Sequence, residues 1–112
     1  AMPRTYYASA ISTDPPSITV GAMESAVEGG AEYTGSAGVA LSSVEALIQR
    51  TASLTPEGEG GAAVTTDVIG SYYTLALHNL TPGEHYYVPM VLYPVVGRHW
   101  EMVVVVVCPG GS

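Results

Sequence analysis

The chain has 112 residues, 47% of them hydrophobic and 12% charged, with a formal net charge of -7. That length closes one core and not two, and so much apolar surface with so few charges excludes a disordered chain. Ten acids face only Arg4, Arg50 and Arg98, with no lysine, so no basic stripe exists to neutralise phosphates, and neither nucleic acid nor an anionic membrane is expected as a partner.

Taken in chain order, the start carries no charged, then apolar, then small-residue signal segment. Ala1-Met2 reads as a cloning remnant at an initiator methionine, which predicts a protein not exported by a cleaved signal. Residues 17–21, after the break at Asp14-Pro15-Pro16, read as a short strand, and 32–41 as a second. Residues 42–52 are ambiguous: Val44, Leu47 and Ile48 fit a helical stripe behind a serine cap, whereas Val44, Ala46 and Ile48 fit a strand face. Pro56, Gly58, Gly60 and Gly61 around two glutamates make 55–61 an exposed loop, and 62–68 a further strand. From residue 72 the pattern sharpens. Tyr73, Leu75 and Leu77 alternate with Tyr72, Thr74, Ala76 and His78, and Thr81-Pro82-Gly83-Glu84 has the residues of a type II turn. Residues 86–93 and 99–107 are strands about a turn at 94–98. The longest apolar run, 102–108, is far short of the roughly 20 residues of a membrane span. About seven short strands with no repeat or linker predict one all-β sandwich domain over 1–112, with a short helix at 42–52 as the variant.

Leu80-Thr81-Pro82-Gly83-Glu84-His85-Tyr86-Tyr87-Val88 resembles the Leu-x-Pro-Gly-x-x-Tyr-x-Val segment that joins strands E and F in fibronectin type III domains. The resemblance runs from Tyr72 to Val107 and implies an immunoglobulin or fibronectin III-like sandwich. It further implies a tyrosine corner built from Leu80, Pro82, Gly83 and Tyr86, the ring entering the core and the hydroxyl bonding backbone near the turn. Three departures stand out. Val88 occupies the place of the antibody-type cysteine, Trp100 lies in the last strand rather than in strand C, and Pro89 removes a ladder donor, which implies a bulge or an edge position. Disulfide-free, acidic, lysine-poor sandwiches of this kind are similar to immunoglobulin-like modules of bacteriophage heads and tails. That similarity implies a virion structural protein, capsid-decorating or tail-associated.

If Tyr86 points inward, so do Val88, Met90 and Leu92, and the outward set of Tyr87, Pro89, Val91 and Tyr93 carries no charge. Trp100, Met102, Val104 and Val106 share one face of the last strand, with Glu101, Val103, Val105 and Val107 on the other. Strands apolar on both faces have both faces covered. The candidate protein interface is therefore Tyr87, Val91, Tyr93, Val103, Val105 and Val107, covered by a homo-oligomer or a larger assembly such as a capsid or tail. Coverage by the chain's own first half, for example by a helix at 42–52, is the alternative.

Chemistry is poorly supplied. Cys108 stands alone, excluding an internal disulfide and a cysteine-based metal cluster. His78, His85 and His99, with Glu84 or Glu101, lack paired ligand spacing, so they read as turn or surface histidines and no metal or cofactor is expected. Thr34-Gly35-Ser36-Ala37-Gly38 lacks the spacing of a nucleophile elbow, and Gly58-Glu59-Gly60-Gly61 would repel a phosphate. Asn79-Leu80-Thr81 matches a glycosylation acceptor by chance composition. No enzyme is expected. The expected role is a non-catalytic structural module of a virion, the alternative being an accessory or adhesion domain of a larger secreted or cell-surface protein.

Overall fold

Alternation with a period of two governs the architecture. The computed structural model describes residues 7–14, 19–20, 30–50, 58, 61–81 and 83–107, and every regular element among them is a strand: β1 (Tyr7–Asp14), β2 (Thr19–Val20), β3 (Ala31–Ser36), β4 (Leu41–Ala46), β5 (Gln49–Arg50), β6 (Ala63–Ile69), β7 (Tyr72–His78), β8 (His85–Pro94) and β9 (Trp100–Val107). They form two antiparallel sheets. One has the order β1-β9-β8-β4, with β5 also on β8, and the other β2-β3-β7-β6. Pro82, Cys108 and residues 51–57 lie outside the described residues.

The inner faces supply the core. Tyr33, Tyr73, Leu75 and Leu77 of the second sheet meet Tyr86, Val88, Leu92, Met102, Val104 and Val106 of the first, all buried. Each such side chain contributes roughly 1.5–3 kcal/mol of transfer free energy, so packing can hold the domain without a disulfide. The Tyr73 hydroxyl donates across the core to Met102 Sδ at 3.7 Å. Burial pushes the Tyr73 pKa up to about 12. Opposite Tyr73 sits Gly35. A Cβ at that position would fall against the ring's Cζ and hydroxyl and within 2.8 Å of Cε1, so the ring takes the space a side chain would need.

In its described part, residues 42–50, the ambiguous segment is not helix but two strands, interrupted at 47–48. Leu41 pairs with Pro94 and Ser43 with Tyr93, which leaves Ser42 as an extra residue, a β-bulge. The Ser42 hydroxyl donates to the Tyr93 carbonyl at 2.9 Å. Because the bulge shifts the phase, the buried residues are Leu41, Val44 and Ile48, spaced by three and four as on a helix.

Pro89 also departs from expectation. It is neither at a bulge nor on an edge, because β8 lies between β9 and the β4/β5 line with Val103 opposite it on one side. On the other side the register runs unbroken from Ala46↔Met90 to Gln49↔Tyr87. Leu47 N–H donates to the Pro89 carbonyl at 3.1 Å, but proline has no N–H to return. The sheet gives up that one bond, which is why β4 and β5 are separate strands. The N-terminal β1, unforeseen from sequence, pairs antiparallel with β9 from Tyr7↔Val107 to Asp14↔Glu101, and the expected strand at 32–41 is divided by a loop at 37–40.

Candidate protein interface

The outer face of the first sheet is built in cross-strand rows. Tyr87 stands opposite Val105 and Gln49, Val91 opposite Glu101 and Glu45, Tyr93 opposite Ser43, and Val107 opposite His85. Between the first two rows lies Pro89 with Val103 on one side and Leu47 on the other. The structure thus brings Tyr87, Val91, Tyr93, Val103, Val105 and Val107 onto one face, each half-buried by its neighbours. Among the described residues no other element packs over it.

The face is concave. One hollow of about 760 Å³ is bordered on this face by Glu45, Leu47, Pro89, Val91, Glu101 and Val103, and it continues past the β4 edge, by Val44, to Thr66 of β6 in the other sheet. A second of about 290 Å³ is lined by Gln49, Tyr87, Pro89, Val103 and Val105. They share Pro89 and Val103 and so form one trough. Its floor is apolar, and the two carboxylates flank Val91 at one end. There the Glu45 carboxylate accepts a hydrogen bond from the Tyr93 hydroxyl and, helped by partial desolvation and its own charge, raises the Tyr93 pKa. The Tyr93 ring also meets His99, centroids 6.0 Å apart and tilted by 47°. Leu47, Gln49 and Glu45 escaped the sequence reading because they fall in or beside the segment whose period the bulge confuses.

The corner residues lie at the end of the sandwich where β7 passes to β8. Tyr86 and Leu80 are buried, and the Tyr86 hydroxyl accepts the Thr81 N–H at 2.8 Å. Gly83 has φ +86, as the third residue of a type II turn requires, and Glu84 N–H closes the turn on the Thr81 carbonyl at 3.1 Å. Asn79, at φ +58, sends its side-chain amide to the Gly61 carbonyl at 3.5 Å and so ties the corner to the neighbouring loop.

The histidines are dispersed. His78 and His85 flank the corner, with His78 Nε2 3.4 Å from Thr65 Oγ1, whereas His99 is at the opposite end of the sandwich. Among the described residues no three His, Cys, Asp or Glu side chains gather where they could hold a metal ion. Residues 34–36 are regular strand, with Thr34 and Ser36 exposed on the outer face of β3. The arrangement offers an apolar trough with an acidic end, suited to contact. Compared with known proteins, the chain matches no family model, no curated protein and no solved structure.

Proposed function

We propose that this chain is a non-catalytic sandwich module of the immunoglobulin or fibronectin type III kind that joins neighbouring protein subunits through the outer trough of β8 and β9. Its setting is a virion, as a capsid-decorating or tail-associated structural protein. Two observations favour the family reading. The strand orders β2-β3-β7-β6 and β4-β8-β9 parallel the ABED and CFG sheets of constant-type immunoglobulin domains. The Tyr86 hydroxyl also reaches backbone near the turn that precedes its strand. The antiparallel β1 at the β9 edge is an addition to that scheme.

The observation that carries the interaction reading is the uncharged trough floor, Tyr87, Pro89, Val91, Val103 and Val105 with Leu47 beside them. These side chains are already partly covered, so docking gains only part of the roughly 1.5–3 kcal/mol each that full burial provides, against an association cost of about 4 kcal/mol or more. One such contact is weak, and repetition in an assembly makes it effective.

The test is light scattering coupled to gel filtration on wild type, Val91→Glu and Val105→Glu, with unfolding midpoints measured in parallel. Growth of wild-type assemblies beyond a pair as concentration rises, which both substitutions abolish, supports the reading. Growth beyond a pair that is unchanged in variants retaining their fold sinks it.

A further inference from the structure

Beyond the trough, the large apolar side chains most open to water gather at one end of the sandwich. They are Val39 (46% exposed), Ile69 (74%), Tyr72 (56%), Val95 (63%) and Val96 (86%). In sequence they are scattered, and the topology collects them. Ser36 and Ile69 both stand opposite Tyr72, and Leu41 stands opposite Pro94, so the loops β3–β4, β6–β7 and β8–β9 converge.

Backbone hydrogen bonds tie the three loops together. Ala37 N–H donates to the Ser71 carbonyl at 2.8 Å, Leu41 N–H to the Gly70 carbonyl at 2.9 Å, and Val95 N–H to the Ala40 carbonyl at 3.0 Å. Gly70, at φ +61, opens the two-residue hairpin turn. The loops are thus ordered before any partner arrives, which reduces the ordering cost of binding.

We propose that this loop end is a second docking surface, distinct from the trough, on which a second copy of this chain packs end to end about a two-fold axis. The area argues for that occupant. The five residues expose roughly 500–600 Å² in all, backbone and the Tyr72 hydroxyl included, so their apolar part falls within the range for the largest apolar patch of a monomer. Pairing two such ends would bury roughly 1,000–1,200 Å² in all, the lower bound of specific interfaces. An apolar patch faced by its own copy meets an equally apolar surface, so a two-fold contact satisfies both sides at once.

Sedimentation velocity across a concentration series tests this on the full chain, comparing wild type with Val96→Asp, Ile69→Asp and the trough variant Val91→Glu. Both tip residues are exposed, so the fold should survive, and circular dichroism verifies that it does. Expected is a weak wild-type dimer whose dissociation constant rises about tenfold or more in each tip variant and is unchanged in the trough variant. A strictly monomeric wild type, or association that Val96→Asp and Ile69→Asp leave within about twofold, overturns the proposal. Association lost only in Val91→Glu overturns it while supporting the trough, so the two surfaces fail separately.

Discussion

Replacing Tyr86 by Phe isolates the hydrogen bond that pins the turn before β8. The ring is buried and stays, while the oxygen that accepts Thr81 N–H at 2.8 Å is removed. A typical intramolecular hydrogen bond contributes about 0.5–1.5 kcal/mol net, and a donor left dry costs up to about 3 kcal/mol. The bond is part-buried rather than buried, so the released N–H is not left fully dry and the lower range applies, about 1 kcal/mol. Leu80→Ala, which empties buried space under the same turn, should cost about 2–5 kcal/mol. Urea unfolding followed by circular dichroism measures both, and an unchanged slope keeps the comparison within two states. The expected order is wild type, then Tyr86→Phe, then Leu80→Ala. If Tyr86→Phe matches wild type within error, the hydroxyl does not secure the corner and the argument for its role fails.

Gly35→Ala should destabilise by about 1–3 kcal/mol, because its Cβ meets the buried Tyr73 ring; a double-mutant cycle with Tyr73→Leu should show the two changes coupled, and additivity would refute the clash. Pro89→Ala supplies the missing donor opposite Leu47, so hydrogen exchange should find the new amide at position 89 protected, with stability changed by less than about 1 kcal/mol. Tyr73 carries a pH signature. Its folded pKa, about 12, lies above its ordinary 10.0, so the unfolded chain ionises first as pH rises. Its contribution is complete below pH 10, declines between 10 and 12, and is constant beyond, a loss of up to about 2 kcal/mol after allowance for solvent screening. Tyr73→Phe should flatten that alkaline decline in unfolding experiments, and an equally steep decline would show that other groups cause it.

The second half of the sandwich was legible because each of its strands obeys one rule throughout. Tyr86, Val88, Met90 and Leu92 are buried and their alternates half-buried, as period two requires. In the first half β3 keeps that rule, but its neighbours obscure it. At Ser42 one extra residue places Leu41 in phase with Val44 and Ile48 as a helix would, so no single period describes the segment. In β1 the larger residues Tyr7 and Ile11 are separated by alanine and serine, leaving no sustained apolar alternation to mark an edge strand. How Pro89 is accommodated was illegible for another reason. Its cost depends on which neighbour its nitrogen faces, a property of register with the 41–50 segment rather than of β8 alone. The same dependence hid Leu47 and Gln49 from the interface, while the exposed loop end needed the whole topology before Val39, Ile69 and Val96 could be seen as neighbours.

The two proposed surfaces have different consequences for assembly. A two-fold contact at the loop end uses the same patch on both copies and stops at a pair. The trough lies on the face of a sheet, with Glu45 and Glu101 at one end of an apolar floor, an asymmetry that suits a partner surface apolar along the floor and neutral or basic at that end. A pair formed at the loop ends would then present two troughs, and a scaffold with repeated sites could hold both at once. Neither contact need be strong alone, since the second engagement of a tethered pair occurs at high effective concentration. On this reasoning Val96→Asp should weaken binding to a repeated scaffold by more than its effect on pairing in solution alone, while Val91→Glu removes scaffold binding and spares the pair.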